Sequence, residues 1–349
     1  MNKESLGFSI KSRPKLTQLT HLGRGRLEKL NKMLYANGPG NGTFLSLPFD
    51  QLIEHGAAHI FKWAKEDLSE VRITGRGSAD PRTVIELANI GDFSAVVLHP
   101  GIVDKYQELL NLNVPLIYKI DGHMSIPQNP HILSTIGSIK EALRLGADAI
   151  GASFYPGSEM NRVDMERIGT IVRKAHEYGL PAVLWTYPRG PGVNEVGGDS
   201  LFWVHYGVVV AESLGADIIK TKFPEPVKKE KKEAYINYVT KISKKIKSAQ
   251  RYLELEPNEN EELTEKQHTT RMKLVVDAVP RSFVLVSGGP QIKENTEENL
   301  AKITRIVMNA GAEGRIIGRN FWGVPINNGL KYATIVAEIM KQSKYHRPI

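Results

Sequence analysis

Eight short apolar runs, each followed by a segment with helical spacing, constrain the fold of this chain more than any other feature. They span residues 43–50, 94–100, 115–122, 147–154, 181–188, 216–223, 282–289 and 314–320. Runs this rich in Val, Ile and Leu are typical of parallel strands that are covered on both faces. Eight alternating strand and helix units predict an α/β protein with a (β/α)8 TIM barrel. An open doubly wound sheet is the main alternative, because a sequence does not show whether a sheet closes.

Two segments do not fit the repeat. Residues 1–42 precede the first run and end in the glycine-rich NGPGNG, so we expect an N-terminal extension over a barrel domain of residues 43–349. The long separation of the sixth and seventh runs predicts an insertion at about 225–275. Its first half has apolar residues at helical spacing, which predicts an amphipathic helix. These residues are Tyr235, Val239, Ile242 and Ile246.

The composition excludes several classes of protein. The 349 residues include no cysteine, which rules out disulfides, thiolate catalysis and cysteine-bound metals. No apolar run reaches the roughly 18 to 20 residues that a bilayer requires. The N-terminus has no apolar stretch followed by a small-residue cleavage site, so it does not resemble a secretory signal. We therefore expect a cytoplasmic protein.

The net charge of +8 and the pI near 9.3 suit a protein whose ligands are phosphate esters. A nucleic acid is the other usual partner of a basic chain, but no recognisable nucleic-acid module is present. Much of the positive charge lies in KKEKKEAYINYVTKISKKIKSAQR, where acidic and apolar residues interrupt it. A solvated helix face explains that stretch best. We expect no nucleic-acid and no membrane partner.

Lys220 and Lys222 end the sixth run, and side chains two apart on a strand share a face. If that face is the barrel interior, burial and like charge would both lower the pKa of a lysine there. A neutral amine can attack a ketone to form a Schiff base. The alternative is that both lysines lie at the rim and reach into water.

Trp185, Tyr187 and Arg189 alternate along the fifth run, so they would share one face beside Lys220. A phenol can transfer a proton when a C–C bond breaks, provided that nearby cations stabilise its phenolate. An indole can form a wall against the substrate, and a guanidinium can hold a phosphate. The alternative is that the two aromatic side chains only fill the barrel.

Two glycine clusters follow the last two runs, SGGP at 287–290 and IGRN at 317–320. Glycine lets backbone N–H groups approach an anion, and the loops after strands 7 and 8 form the frequent phosphate site of this fold. The candidate phosphate ligands are Ser287, Gly288, Gly289, Gly318 and Arg319. Ordinary tight turns would explain either cluster alone.

Asp50, at the end of the first run, could hydrogen-bond substrate hydroxyls or an iminium, although an N-cap is a common use of Asp after a strand. His55 and His59 stand four residues apart, a spacing that suits a metal on a helix, but no HExxH surrounds them. GRGSAD at 75–80 has no convincing strand before it. Further polar residues near strand ends could line a pocket in roles the sequence does not assign; they are His99, Lys119, Asp121 and His123.

From about residue 40 onward the chain resembles the archaeal-type class I fructose-1,6-bisphosphate aldolases, a family whose relatives include deoxyribose-phosphate aldolase. The resemblance rests on the ordered motifs FDQLIEHG, GADAIGASFYPGSE, LWTYPRG, GADIIKTKFP, LVSGGP and IIGRNFW. It implies reversible, Schiff-base cleavage of fructose 1,6-bisphosphate in glycolysis and gluconeogenesis, without metal or cofactor. It also implies a homo-oligomer, commonly a decamer of pentameric rings. The charged insertion and the long N-terminal extension depart from compact members.

The resemblance also implies roles for particular residues. Lys220 would form the Schiff base, Tyr187 would transfer the proton, Trp185 would shape the site and Asp50 would contact the substrate. One phosphate would lie on Ser287, Gly288, Gly289, Gly318 and Arg319, and the other on Arg189. Lys222 is not among the residues that the resemblance implies; because it shares a strand face with Lys220, we predict that it binds the substrate or its phosphate.

Three other hypotheses remain open at this stage. The chain could be a related lysine-dependent aldolase or synthase that acts on another phosphorylated sugar. It could be a metal-dependent aldolase that uses the scattered histidines. It could also be a non-catalytic protein that binds a sugar phosphate and presents the basic insertion to a partner.

Overall fold

The computed structural model describes residues 16–55, 80–125, 130–258 and 261–342, in which eight parallel strands close into one barrel. The first strand pairs with the last as well as with the second, so the predicted TIM barrel is confirmed and the open sheet is excluded. Each predicted run contains one strand of the barrel. A separate two-stranded antiparallel sheet pairs Asp121–Gly122, at the end of the third run, with Ser134–Thr135. The barrel strands are β1 (Phe44–Phe49), β2 (Ala95–Leu98), β3 (Leu116–Lys119), β4 (Ala149–Phe154), β5 (Ala182–Thr186), β6 (Ile218–Thr221), β7 (Phe283–Ser287) and β8 (Gly314–Ile316).

Helices connect the strands on the outside of the barrel, except for the first helix, which precedes β1. None of those in the described ranges has the length and apolarity that a membrane span needs. They are α1 (Gly23–Asn31), α2 (Leu52–His55), α3 (Pro81–Ile90), α4 (Pro100–Tyr106), α5 (Ile139–Arg144), α6 (Asn161–Glu177), α7 (Pro191–Val196), α8 (Leu201–Ser213), α9 (Lys232–Ser243), α10 (Gln250–Glu254), α11 (Glu265–Asp277), α12 (Thr296–Asn309), α13 (Arg319–Trp322) and α14 (Ile326–Lys341).

The strands separate two apolar cores because their side chains alternate between the faces of the sheet. In β1, Leu45 and Leu47 point outward and join the core between the strands and the helices. Phe44 belongs instead to the core inside the barrel, together with Trp185 of β5 and Leu285 of β7. All six residues of β1 are buried, as expected of a parallel strand covered on both faces.

The N-terminal segment adds its apolar side chains to the core inside the barrel. A Cβ on Gly25 of α1 would lie 3.1 Å from the Cα of Gly179, so the two backbones are in close contact. The buried apolar residues that this segment contributes are Leu16, Leu19, Leu22, Leu30, Met33 and Leu34, which we name the N-terminal plug. The boundary of the extension at residue 42 stays a prediction, and residues 1–15 lie outside the described ranges.

Three ion pairs hold the N-terminal plug on the barrel. Arg26 Nη1 lies 3.0 Å from Asp217 Oδ1, and the ammonium groups of Lys29 and Lys32 each lie 3.0 Å from an oxygen of Asp148. Both carboxylates are nearly buried and stand just before β6 and β4. The plug therefore covers the end of the barrel where the strands begin, opposite to the end where barrel enzymes place their active sites.

A repeated Gly-Ala-Asp or Gly-Ala-Glu sequence explains why these carboxylates are buried. It precedes β4, β6 and β8, and each time the carboxylate accepts a hydrogen bond from a backbone N–H at the start of the neighbouring strand. The pairs are Asp148 with Leu116 (3.1 Å), Asp217 with Ala182 (2.8 Å) and Glu313 with Val284 (2.7 Å). The motif therefore satisfies backbone donors where the strand ladder begins.

The chain between β6 and β7 contains the predicted amphipathic helix, α9. Tyr235 and Val239 are fully buried in a separate aromatic cluster with Phe202 and Trp203 of α8. Ile246 does not share this face: the helix ends at Ser243, and Ile246 lies beyond it, 56% exposed. The apolar spacing of the sequence therefore continues past the end of the helix.

The helix that closes the sixth βα unit is α11. It contacts α8 and α12, the helices on either side of it around the barrel. Because a barrel needs one such helix between β6 and β7, we infer that the extra chain ends before Glu265, inside the expected range of 225–275. The domain boundaries themselves stay a prediction.

Candidate active site

A polar pocket lies at the ends of the strands, on the opposite side of the barrel from the N-terminal plug. It combines a buried lysine with aromatic and ionisable side chains from several loops and strands. Its lining residues are Asp50, Gln51, Glu54, His99, Lys119, Asp121, Gly122, His123, Leu133, Ser153, Tyr155, Trp185, Tyr187 and Lys220. Four residues that the sequence left without roles, His99, Lys119, Asp121 and His123, therefore lie in the same pocket as Lys220.

Lys220 occupies the centre of this site. It stands directly opposite Trp185 in the β5–β6 pair, and its Nζ lies 5.0 Å from the centroid of the indole ring. The same Nζ is 4.0 Å from Asp50 Oδ2 and 5.7 Å from the ring centroid of Tyr187. Only 5% of Lys220 is exposed. The sequence predicted that Lys220 and the Trp-Tyr pair would be neighbours, and the strand register brings them together.

The pKa of Lys220 lies below its usual value of 10.5. Burial is the main cause, and the charge of Arg319 adds to it, while the carboxylates of Asp50 and Glu54 act in the opposite direction. The sequence analysis predicted that the charge of Lys222 would lower this pKa; that prediction is wrong, because the like charge comes from Arg319. Lys222 Nζ lies 2.5 Å from Asp199 Oδ1, and its side chain is 33% exposed, so its charge is paired and partly solvated. The lowered pKa gives Lys220 a larger neutral fraction, which nucleophilic attack requires.

Asp50 follows β1 and faces Lys220. Burial raises the pKa of its carboxyl group, but the pKa lies below its usual value, mainly because of the positive charges of Lys220 and then Lys119. Its Oδ1 is buried and has no hydrogen-bond partner among the described residues. The site therefore contains an ionised carboxylate with an unused acceptor beside the amine, which suits contact with a substrate hydroxyl.

Tyr187 lies just beyond β5, with a side chain that is partly accessible and a hydroxyl in the polar pocket. Desolvation raises the pKa of the phenol well above its usual range, and the charges of Asp50 and Glu54 raise it further. A hydrogen bond with Ser287 and the charge of Arg189 oppose this effect without cancelling it. The phenol is therefore protonated at neutral pH, so in this state the cations do not stabilise a phenolate as the sequence argument required.

Lys119 is a second buried ammonium in the pocket, 5.3 Å from the ring centroid of Trp185. It forms an ion pair with Asp121, and Arg167 Nη1 donates to the other oxygen of this carboxylate at 2.8 Å. Asp121 Oδ2 also accepts from the Ser153 N–H at 2.8 Å. The network holds Lys119 in the pocket, where its positive charge lowers the pKa of Asp50.

His99 completes the network without adding a charge. Its Nε2 lies 3.2 Å from the carbonyl oxygen of Asp121. Burial and the charge of Lys119 lower its pKa to about 4, so the imidazole is neutral near pH 7. Sequence reasoning missed Arg167, which reaches this network from α6. The only local signal was Asp164 three residues earlier, whose carboxylate accepts from Arg167 Nε at 2.7 Å.

The two glycine loops follow β7 and β8. Ser287 of the first loop hydrogen-bonds with Tyr187, and Arg319 of the second is close enough to Lys220 to lower its pKa. Arg319 Nη2 donates to the Gly289 carbonyl oxygen at 3.0 Å, and its buried Nε has no hydrogen-bond partner in the part of the chain that the structure describes. The Gly288 N–H already donates to Ile316 O at 3.0 Å, so it is not open to an anion. A Cβ on Gly288 would lie 2.8 Å from Ile317 Cγ2, which means that glycine is required there for close packing of the two loops.

Arg189 lies at the outer side of the pocket. Its Nη2 lies 3.1 Å from Glu54 Oε1, and its guanidinium carbon lies 4.9 Å from the ring centroid of Tyr155. Lys222 follows β6 directly, and its Nζ lies 5.6 Å from the ring centroid of Tyr187; it lines the same pocket as Arg189. The structure therefore separates two cationic regions, one around Arg319 and one around Arg189 and Lys222.

Comparison with known proteins agrees with this geometry. The DeoC/LacD family of aldolases matches residues 44–323, which include all eight strands and the whole polar pocket. The chain belongs to the DeoC/LacD aldolase family. A protein of Thermoproteus tenax named fructose-bisphosphate aldolase class 1 is 30% identical over 304 residues, covering 87% of this aldolase and 91% of the relative. A protein of the same name from Halobacterium salinarum is 25% identical over 283 residues, covering 81% and 85%.

Solved structures resemble this aldolase in the same region. One is an archaeal fructose-1,6-bisphosphate aldolase with its catalytic lysine covalently bound to the carbinolamine intermediate. It has 28% sequence identity and a TM-score of 0.67, and the match covers 89% of this aldolase and 99% of that chain. A fructose-bisphosphate aldolase from Slackia heliotrinireducens has a TM-score of 0.70 at 18% identity, a likeness that concerns the fold alone.

The histidines of this aldolase do not form a metal site in the described part of the chain. His55 Nδ1 lies 3.1 Å from Ser125 Oγ, and His123 Nδ1 lies 3.1 Å from the carbonyl oxygen of Ile132. Within residues 16–55, 80–125, 130–258 and 261–342, no group of three or more His, Asp or Glu side chains is arranged to hold a metal ion. His59 and residues 75–79 of the GRGSAD segment lie outside those ranges.

Proposed function

We propose that this chain is a class I fructose-bisphosphate aldolase, which cleaves fructose 1,6-bisphosphate reversibly to dihydroxyacetone phosphate and glyceraldehyde 3-phosphate through a Schiff base on Lys220. The observation that carries the proposal is the buried Lys220 amine, whose pKa is lowered and which lies opposite Trp185 and 4.0 Å from Asp50. The relatives that share this region are named for the same activity.

In this mechanism the neutral amine of Lys220 attacks C2 of the ketose and forms a carbinolamine, which loses water to give an iminium. The iminium accepts the electron pair of the C3–C4 bond as that bond breaks. C4 becomes the aldehyde carbon of glyceraldehyde 3-phosphate when its hydroxyl loses a proton. The enamine that remains is protonated at C3, and hydrolysis then releases dihydroxyacetone phosphate and the free amine.

Tyr187 is the group that we assign to proton transfer at the C4 oxygen. Its phenol is protonated in the free protein, which is the form needed to donate a proton to that oxygen in the condensation direction. In cleavage the same phenol must accept the proton, and its high pKa opposes release of that proton afterwards. The positive iminium that replaces the neutral amine lies on the neighbouring strand and would favour the phenolate form at that moment.

Two phosphates are assigned to the two cationic regions. Arg319, with Ser287, Gly289 and Gly318, would hold the phosphate next to the Schiff-base carbon, while Gly288 shapes this loop. Arg189 would hold the distal phosphate. The buried Nε of Arg319, which has no hydrogen-bond partner within the described ranges, supports the first assignment, since a phosphate oxygen would supply an acceptor.

Borohydride trapping tests the proposal directly. Reduction in the presence of dihydroxyacetone phosphate is expected to leave a stable adduct, which peptide mass mapping should place on Lys220. Activity should be unchanged by EDTA, whereas a metal-dependent aldolase would lose it. An adduct on Lys222, or no adduct, would overturn the assignment. An adduct without cleavage of fructose 1,6-bisphosphate would instead favour a lysine-dependent enzyme for another phosphorylated sugar.

The Tyr187→Phe variant tests the proton-transfer role. Removing the hydroxyl should lower kcat for cleavage by about 10² to 10⁴-fold, the usual worth of a positioned acid or base. The Lys220 adduct with dihydroxyacetone phosphate should still form, because Schiff-base formation does not use the C4 oxygen. Steady-state kinetics and trapping together separate the two steps. Equal losses in trapping and cleavage would show that the phenol supports the lysine instead.

We also propose that the enzyme is cytoplasmic and forms a homo-oligomer, with a pentamer-based decamer as the expected state. The first part rests on the absence of cysteine from the sequence and on the substrate, a phosphorylated sugar. The second rests on the family resemblance.

A further inference from the structure

A second pocket of about 480 Å³ adjoins the active site on the side of Arg189 and Lys222. It lies between the loop after β5 with α7 and the loop after β6 that leads into the insertion. Two lysines of the insertion, Lys228 and Lys231, line it together with Arg189 and Lys222. We name it the insertion pocket.

The insertion pocket and the polar pocket share a wall. Arg189 lines the first, while its partners Glu54 and Tyr155 line the second, at 3.1 Å and 4.9 Å respectively. Tyr187 also separates the two regions, because Lys220 Nζ lies 5.7 Å and Lys222 Nζ lies 5.6 Å from its ring centroid. The insertion pocket therefore lies next to the polar pocket, with Tyr187 and Arg189 at the boundary between them.

The charge of the insertion pocket favours an anion. Four cationic side chains line it against two carboxylates, Asp199 and Glu225. Asp199 is already paired with Lys222 at 2.5 Å. Lys231 Nζ donates to the Asn194 carbonyl oxygen at 2.5 Å, which directs this ammonium to the pocket wall and leaves its other donors for a ligand. A phosphate is the anion whose size and charge suit such a group of Arg and Lys side chains.

A buried ion pair fixes the wall that carries these lysines. Arg271 Nη1 lies 3.2 Å from Glu256 Oε2, and both side chains are almost completely buried. Arg271 Nη2 also donates to the Glu225 carbonyl oxygen at 3.0 Å, and Glu256 Oε1 accepts from the Val227 N–H at 2.7 Å. The backbone just before Lys228 is therefore held from two sides, and the lysines occupy a prepared position.

We propose that the insertion completes a subsite for the distal phosphate of the substrate, in which Lys228 and Lys231 act with Arg189 as specificity-determining residues. This inference rests on the proposed function, because the distal phosphate is defined by the carbon that is bound to Lys220. It assigns the insertion a direct part in recognising the aldehyde half of the substrate. Binding energy from this remote phosphate would then hold the reacting carbons in place.

The test compares Lys228→Ala/Lys231→Ala with Lys244→Ala/Lys245→Ala. The control pair removes the same charge from exposed positions of the same insertion that do not line the pocket. In the condensation direction, the first variant should raise KM for glyceraldehyde 3-phosphate by about tenfold or more. The concentration of dihydroxyacetone phosphate for half-maximal trapping on Lys220 should stay within about twofold in both variants. The control should leave both quantities unchanged.

Three outcomes would overturn the inference. An unchanged KM for glyceraldehyde 3-phosphate would show that the lysines do not touch the distal phosphate. Equal losses in trapping and in KM would show that they only support the site. An equal effect of the control pair would mean general attraction of anions by the basic insertion. Failure of the proposed function would look different, since the unmodified protein would then form no adduct on Lys220.

Discussion

Replacing Lys220 with methionine should abolish cleavage of fructose 1,6-bisphosphate, with kcat at least about 10⁴-fold lower, because the change removes the amine that lies opposite Trp185 and beside Asp50. The borohydride adduct should disappear as well. The fold should be retained, since methionine fills a similar volume and removes a charge from a buried position. A coupled assay for glyceraldehyde 3-phosphate measures the first effect, and mass spectrometry measures the second.

The matched control is Lys222→Met, which changes the lysine two residues after Lys220. Lys222 is paired with Asp199 and partly solvated, so its loss should weaken turnover but leave the adduct on Lys220 intact. The pH dependence gives a further check. Attack requires the neutral amine, so the rise of kcat/KM with pH that reports Lys220 should lie below the usual lysine pKa of 10.5. If Lys222→Met removed the adduct while Lys220→Met kept it, the roles of the two lysines would be reversed.

The Leu30→Ala/Leu34→Ala variant should lower the free energy of unfolding by roughly 4 to 8 kcal/mol, because each change removes a fully buried leucine. Both side chains belong to the N-terminal plug and to the core inside the barrel. Urea denaturation followed by circular dichroism measures the loss. A loss of this size would make the N-terminal segment part of the folding unit of the barrel.

The control for that experiment is Leu112→Ala. Leu112 is 93% exposed, so its truncation should change the free energy of unfolding by less than about 0.5 kcal/mol. A double variant that unfolded at the same urea concentration as the unmodified protein would contradict the packing seen for the plug. Unchanged activity together with reduced stability is the expected pattern, since the plug lies at the opposite end of the barrel from Lys220.

Much of this architecture could be predicted from local patterns. The eight apolar runs located all eight strands because a strand that is buried on both faces must be apolar along its whole length. The alternation of side chains along a strand correctly placed Trp185 beside Lys220. The same reasoning does not predict contacts between a strand and a distant loop. It predicted that the charge of Lys222 acts on Lys220, whereas in the structure Lys222 forms an ion pair with Asp199, which lies between α7 and α8.

By itself, the sequence determined which segments become strands and which side chains share a face, because both depend on residues that are near in the chain. Only the tertiary structure decided that the sheet closes and that the N-terminal leucines fill the end of the barrel where the strands begin. It also decided that Arg167 holds Asp121 beside Lys119. It also brought Lys228 and Lys231 of the insertion to a pocket next to the active site. These contacts join residues that are far apart in the chain, and no local spacing encodes the distance between them.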